Sequence, residues 1–218
     1  MMTNLFSTFD PCTGNFSLNW ISTTIMFLIV PHKYWLISNK SMFIINNVII
    51  MLHKEMKLIM PYKGSTLMMM SMFLMIMYNN VMGLLPYIFT SSSHLTFSLA
   101  LALPMWLSFM IYGWINKTNM MFTHLVPSGT PGVLMPFMVL IETISNLIRP
   151  GSLAVRLTAN MIAGHLLMSL LGSNSIQSFT LMVLTMFICM LLMMFELAVA
   201  LIQSYVFMTL TTLYSSEV

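Results

Sequence analysis

The chain has 218 residues, of which 58% are hydrophobic and only 6% are charged, and its mean hydropathy is +0.89. Soluble domains carry about 25% charged residues, so this composition excludes a soluble globular enzyme, a disordered chain and a disulfide-stapled secreted module. It predicts an integral membrane protein built from several helices. The formal net charge of +3 comes without a dense basic patch, so we expect no binding to nucleic acid.

Cysteine and methionine usage bear on chemistry and origin. Cys12 and Cys189 lie at opposite ends of the chain, which is the spacing of neither a disulfide framework nor a metal site, so we expect no metal and no cofactor. Methionine accounts for 28 residues, more than packing alone demands. Many mitochondrial genomes read as Met a codon that elsewhere means Ile, so the bias indicates synthesis inside the organelle. The first 19 residues hold no Lys or Arg and match neither a transit peptide nor a secretory signal.

The hydropathy pattern predicts an all-α membrane protein with about six helices in a single membrane domain. Residues 18–37 form the first span, with aromatic residues marking its two interfaces. Residues 42–60 alternate polar and apolar faces at helical spacing, which favours an amphipathic helix lying on the membrane surface. A short buried span is the alternative for this second element.

The remaining elements are longer and more apolar. Residues 66–89 and 95–115 are uncharged and long enough to cross a membrane, and a polar loop, 116–132, follows them. Two apolar stretches, 133–171 and 176–214, would each be about 58 Å long as unbroken helices, against a hydrocarbon core of about 30 Å. We therefore predict a steeply inclined helical hairpin, with the division of each stretch into two spans as the alternative.

Lysine is distributed on one side of the predicted topology. If residues 18–37, 66–89 and 95–115 cross the membrane, the two connecting regions that carry every lysine fall on the same side. By the positive-inside rule this side is the mitochondrial matrix, and the N-terminus lies in the intermembrane space. We thus expect a multi-pass protein of the mitochondrial inner membrane. The lysines are Lys33, Lys40, Lys54, Lys57, Lys63 and Lys117.

A polar stripe runs along the first long helix. Glu142, Arg149 and Arg156 are spaced by seven and therefore share one helix face. An arginine inside the membrane costs about 2.5–3.5 kcal/mol on insertion scales, which a partner or a function usually offsets. The alternative is a buried ion-pair seam that only fixes helix packing.

Arg156 suits one task. A guanidinium cannot be deprotonated in a protein and so cannot relay a proton, but it can hold a nearby carboxylate ionised, which burial in lipid would otherwise protonate. The acids inside the apolar stretches are Glu142 and Glu196. If neither of them faces Arg156, the carboxylate must come from another subunit.

His165 lies nine residues beyond Arg156 and thus on the opposite side of that helix. Glu196 and Gln203 are seven apart and share a face of the last helix. If His165 and Glu196 meet across the hairpin, they can line a water-filled entrance for protons. A buried histidine with all its hydrogen bonds satisfied is the alternative. The other histidines, His32, His53, His94 and His124, are expected to be solvated.

The stretch from Arg149 to His165, with its core pattern R-L-T-A-N-M-x-A-G-H, closely resembles subunit a of the mitochondrial F-type ATP synthases. The resemblance covers nearly the whole chain. It includes N-V-M-G-L-L-P at 80–86, Pro104-Met105-Trp106, the loop from Val126 to Gly132, Glu142, and the pair Glu196 and Gln203.

The resemblance implies the proton-channel subunit of the Fo sector, which is not an enzyme by itself. Its partners would be the c-ring, peripheral-stalk and other Fo subunits, the lipid bilayer, and protons as the transported ion. It also implies two long inclined helices against the ring and an amphipathic helix on the matrix surface.

Roles for individual residues follow from the same resemblance. Arg156 matches the arginine that faces the c-ring carboxylate, and His165 and Glu196 match the pair lining the half-channel open to the intermembrane space. Glu142 matches an acid of the matrix half-channel, and Asn160 and Gln203 match polar neighbours of the arginine. At Arg149 and Gly83 members of the family differ, and no role is implied there.

Two other classes are possible. A membrane carrier or an ion-pumping subunit of a respiratory complex would show internal repeats or lysines within broken helices, and neither is visible. A scaffold would use its buried charges only for packing. Catalysis by this chain alone is not expected, because it contains no Walker motif, nucleophile elbow or metal-ligand spacing.

Overall fold

The computed structural model describes residues 5–31, 35, 37, 39–60, 64–126, 131–174 and 179–216. In these ranges every regular element is helical and no strand occurs, which confirms the all-α prediction. The α-helices in chain order are α1 (Ile25–Ile29), α2 (Lys40–Ile59), α3 (Ser65–Gly83), α4 (Leu95–Asn116), α5 (Thr118–Leu125), α6 (Met135–Asn174) and α7 (Phe179–Ser216). Short 3-10 turns occupy Leu5–Phe9, Leu18–Thr24, Ser91–Ser93 and Gly132–Leu134.

Four of the described helices, α3, α4, α6 and α7, are long and apolar enough to cross a membrane. A single hydrocarbon core of about 30 Å needs about 20 apolar residues, and each of these helices reaches or approaches that length. Because soluble folds do not combine four such helices with 6% charged residues, the chain is an all-α membrane protein.

The first predicted span is only partly described. The 3-10 turn Leu18–Thr24 passes directly into α1, and together they end at Ile29, which is short of the roughly 20 residues that a crossing needs. The rest of the range 18–37 includes residues 32–34 and 36, which lie outside the described part of the chain. The span over 18–37 therefore stays a prediction.

Two boundaries differ from the sequence prediction. Helix α3 ends at Gly83 instead of continuing to residue 89, because Pro86 cannot continue a helix and Tyr87 adopts a positive φ of 69°. The predicted polar loop 116–132 was wrong over its first half, where α5 forms. The Phe122 ring packs edge-on against Trp114 of α4 at 5.0 Å, and this tertiary contact stabilises a helix too short to be stable alone.

Helices α6 and α7 are unbroken over 40 and 38 residues, and α6 continues through Pro150. Each is therefore nearly 60 Å long, about twice the hydrocarbon thickness. The alternative of two short spans in each stretch does not occur in the described residues. The inclination of the pair to a membrane remains a prediction.

Helix α2 covers the stretch predicted to lie on the membrane surface. It buries Met56, next to Met60 just beyond its end, in a core cluster that is rich in methionine, and leaves Lys54 and Lys57 exposed. Methionine suits this cluster because its flexible side chain fills irregular gaps between helices. The cluster joins α2, α3, α4 and α7; its other buried members are Met69, Met70, Phe73, Met105 and Met208.

A second buried cluster holds α3, α4, α6 and α7 together. It contains Leu157 and Phe207, which are 0% and 1% exposed, and the small residues Ala102 and Ala154. Small side chains let membrane helices approach closely, which is the main source of packing energy where lipid removes the hydrophobic drive. Since α6 uses Leu153, Ala154 and Leu157 for this contact, Arg156 is left on its exposed side.

Replacement of Phe207 by Ala should destabilise this cluster by about 3–5 kcal/mol, because the cavity left by the ring is lined by atoms that cannot collapse into it. The measurement is the thermal unfolding temperature of the protein in a lipid bilayer. Phe187→Ala is the matched control on α7, since Phe187 is 66% exposed. Equal unfolding temperatures for the two variants would contradict this account of the core.

Candidate functional site

The Arg156 side chain is exposed on the outer side of α6. Within the described ranges, no ion pair joins Arg156 to a carboxylate of its own chain. Asn160, one turn later on the same helix, donates a hydrogen bond from Nδ2 to Oε1 of Gln203 at 3.0 Å. Gln203 is only 7% exposed, so this amide pair ties α6 to α7 beside the arginine.

The other two members of the predicted stripe pair with each other. Nη2 of Arg149 lies 3.6 Å from Oε1 of Glu142, and the Arg149 guanidinium carbon lies 5.1 Å from the centre of the Tyr214 ring. The ion pair lies within α6, whereas the cation–π contact of Arg149 joins α6 to the end of α7. The ion pair that the alternative interpretation of the stripe requires is thus formed by Glu142 and Arg149. Arg156 takes no part in it.

A cavity of about 250 Å³ opens beside this ion pair, between α4, α5, α6 and α7. At about 30 Å³ per molecule it has room for roughly eight waters, and it combines polar and charged groups with aromatic walls. His124, which the sequence analysis assigned to solvent, lines this cavity together with Glu142. The full lining is Trp106, Phe109, Met110, Trp114, Met121, His124, Leu125, Glu142, Asn146, Arg149 and Tyr214.

Glu196 lies at the opposite end of the α6–α7 contact. Its side chain is 7% exposed and its carboxyl group lies directly over Gly164, where a Cβ would come within 2.8 Å of Oε1. A side chain at position 164 would therefore require the Glu196 carboxyl group to move. The hairpin thus brings Glu196 to the residue next to His165, although no ion pair between Glu196 and His165 is formed among the described side chains.

His165 has a buried polar atom that lacks a partner. Its Nε2 atom is buried without a hydrogen-bond partner among the described residues. Buried polar atoms of Asn79, Asn80 and Ser92 are likewise unpartnered there. We call Asn79, Asn80, Ser92 and His165 the polar cluster.

The polar cluster lies where α3, the turn Ser91–Ser93 and α6 pack together. Asn80 and Ser92 are 0% exposed, and each unsatisfied buried polar group costs about 1–3 kcal/mol. Waters that bridge such groups remove this cost, as buried waters commonly do in proteins.

No functional role was predicted from the sequence for Asn79, Asn80 or Ser92. The sequence did contain a signal for two of them. Asn79 and Asn80 are adjacent amides inside an uncharged span, and such amides are costly in lipid unless they face a polar interior. Which partner helix they face, however, follows only from the packing of α3 on the Ser91–Ser93 turn.

The family model described as ATP synthase A chain matches residues 16–216. Among curated proteins, the ATP synthase subunit a of Aedes aegypti is 60% identical over 225 aligned positions. That of Anopheles gambiae is likewise 60% identical, and that of Drosophila melanogaster is 58% identical. Each of these alignments covers 100% of both chains. The helical membrane fold, the family match over almost the whole length and these identities lead to one conclusion: the chain belongs to the ATP synthase A chain family.

Proposed function

We propose that the chain is the proton-translocating stator subunit of an ATP synthase Fo sector, with Arg156 as the fixed cation that faces the carboxylates of a rotating c-ring. One observation carries the proposal: in the described part of the chain no carboxylate pairs with Arg156, which lies exposed on α6. A cation that is buried in a membrane without a partner is costly. An acid supplied by a neighbouring subunit would offset this cost and complete the site.

The chemistry of the guanidinium determines its role. It keeps its proton at any physiological pH and stabilises the ionised form of an acid that approaches it. A ring carboxylate that arrives protonated therefore releases its proton close to Arg156. Because Arg156 cannot itself carry a proton onward, it also blocks direct leakage between the two sides.

Two polar regions lie on either side of Arg156 along α6. Glu142 precedes it by 14 positions and His165 follows by nine, which correspond to about 21 Å and about 14 Å along the axis. We assign His165 and Glu196, with the polar cluster, to the half-channel open to the intermembrane space. Glu142, with its cavity, belongs to the half-channel open to the matrix.

The amide pair of Asn160 and Gln203 supports the position of Arg156. Its 3.0 Å hydrogen bond joins the two long helices one turn from the guanidinium, so it limits rotation of α6 relative to α7. We propose that these two residues keep the arginine directed toward the ring.

The membrane, orientation and partners follow from the same proposal. The lysine-bearing connections face the matrix and the N-terminus faces the intermembrane space of the mitochondrial inner membrane. The c-ring, peripheral-stalk subunits and other Fo subunits are the membrane partners, and phosphate chemistry belongs to other subunits of the complex and not to this chain. Membership of the ATP synthase A chain family speaks against a carrier or a respiratory-complex subunit.

Replacement of Arg156 by Ala should abolish coupled ATP synthesis in assembled complexes, because ring carboxylates would no longer be held ionised at the boundary between the half-channels. The measurement is ATP synthesis driven by an imposed proton gradient. The matched control is Arg149→Gln, which removes a cation from the same stripe and should retain synthesis.

Normal synthesis by the Arg156→Ala complex would refute the proposal. Equal loss in both variants, accompanied by failure to assemble, would favour the packing-seam alternative, in which the charges act only structurally.

Replacement of Glu196 by Gln should slow proton transport and change its dependence on the pH of the intermembrane side, because an amide cannot accept and release a proton. The measurement is ATP-driven proton pumping as a function of pH on that side. Glu55→Gln is the control, since Glu55 lies on α2 and accepts only a 3.5 Å hydrogen bond from Tyr205. A pH profile identical to that of the control would remove Glu196 from the half-channel.

A further inference from the structure

The N-terminal segment folds back onto His165. The 3-10 turn Leu5–Phe9 packs against α6, and the Phe9 ring meets the His165 ring edge-on, with centroids 6.1 Å apart and planes at 89°. Edge-to-face geometry is a favoured arrangement of aromatic rings because a positive edge meets a negative face. The contact therefore restricts rotation of the imidazole.

Phe9 is in turn held by His94, the residue that caps the start of α4. Nε2 of His94 lies 2.9 Å from the Phe9 carbonyl oxygen. A carbonyl only accepts, so His94 must be the donor. The His94 ring packs against both Trp20 and Phe89, at 5.2 and 5.3 Å, and these two rings also contact each other at 5.7 Å, so the three rings restrict one another's rotation.

Two further hydrogen bonds tie this part of the chain together. Nδ2 of Asn19 donates to the Asp10 carbonyl at 3.2 Å, and Oγ of Ser22 donates to the Phe89 carbonyl at 3.1 Å. The first bond closes the N-terminal segment on itself just after Phe9, and the second joins the turn Leu18–Thr24 to the connection between α3 and α4.

We propose that Phe9 is a positioning residue for proton transfer at His165, and that the hydrogen bond from His94 keeps it in place. This inference rests on the proposed function, in which His165 takes part in proton uptake. The Phe9 ring contacts the imidazole, and the Nε2 atom of the same imidazole is buried without a hydrogen-bond partner among the described residues. The N-terminal segment therefore limits the freedom of the imidazole to turn.

Position matters here because proton transfer needs the donor and acceptor within hydrogen-bond reach. A misplacement of about 1 Å can cost up to about a hundredfold in rate. Without the Phe9 ring, the imidazole gains the freedom to rotate and water enters the space that the ring occupied. We expect slower productive transfer together with greater accessibility of the polar cluster.

The first experiment compares variants at position 9 in assembled complexes. Phe9→Ala should lower the rate of ATP-driven proton pumping about tenfold, within the range expected for small misplacements, whereas Phe9→Tyr keeps the ring and should restore it. The matched control is Phe6→Ala on the same 3-10 turn, where the side chain is 67% exposed and its loss should have no effect. Pumping by Phe9→Ala equal to that of Phe6→Ala overturns the proposal.

The second experiment tests the hydrogen bond from His94 to the Phe9 carbonyl without changing the Phe9 ring. His94→Gln keeps a donor for the Phe9 carbonyl and should pump normally, whereas His94→Ala should pump about fivefold more slowly, the factor for the loss of a single hydrogen bond. If Phe9→Ala complexes fail to assemble, this pair decides. Equal pumping by His94→Gln and His94→Ala overturns the proposal.

Accessibility provides a readout that rate alone does not. Ser92→Cys, in a background of Cys12→Ser and Cys189→Ser, reports on the polar cluster because Ser92 is 0% exposed. A membrane-impermeant thiol reagent added from the intermembrane side should label it about tenfold faster when Phe9→Ala is present, as expected for the loss of a local packing contact. Faster labelling with unchanged pumping overturns the proposal, because the segment would then only shield the cluster.

The Glu196→Gln complex separates this inference from the function on which it rests. If Glu196→Gln pumps normally, the proposed half-channel itself fails. If Glu196→Gln is impaired while Phe9→Ala matches Phe6→Ala, only the role of the N-terminal segment is refuted.

Discussion

Helix α6 carries a positive charge, that of Arg156, which no acid of the described ranges neutralises. The rest of the structure is arranged around this charge. Arg156 carries a permanent charge on an apolar helix, and within the described ranges it pairs with no acid of its own chain. Arg149, seven residues earlier, shows the contrast, because its guanidinium is 3.6 Å from Glu142 and packs on the Tyr214 ring. One arginine stabilises the subunit from within, and the other remains available to a neighbour.

Helices α6 and α7 contact each other at three places along their length. At one end Arg149 reaches Tyr214, in the middle Asn160 donates to Gln203, and at the other end the Glu196 carboxyl lies over Gly164. Polar pairs between membrane helices contribute only about 0.6 kcal/mol on average, so close packing of small residues must supply most of the energy. The hydrogen bond between the two amides fixes register and orientation more than it adds stability.

Polar groups are divided between two separate regions that flank this contact. The cavity beside Glu142 opens where α4, α5, α6 and α7 meet, whereas the polar cluster around His165 lies where α3 and the Ser91–Ser93 turn pack on α6. No single helix supplies either region. The two short elements, α5 and the Leu5–Phe9 turn, each place a side chain at one of them: His124 at the cavity, and Phe9 against His165.

Three properties of the protein could be predicted from its sequence alone: the fold class, the long apolar helices and the residues able to carry charge in a membrane. These properties depend on composition and on periodicity within single helices, which a sequence displays directly. The end of α3, the existence of α5 and the environments of Asn79, Asn80 and His124 were decided only by the tertiary structure. Contacts between residues far apart in the chain, such as Phe9 with His165, depend on how helices pack, and no local pattern encodes that packing. The ion pair in the stripe was decided in the same way. The spacing of seven between Glu142, Arg149 and Arg156 did not show whether Arg149 pairs with Glu142, and only the folded helices show that it does.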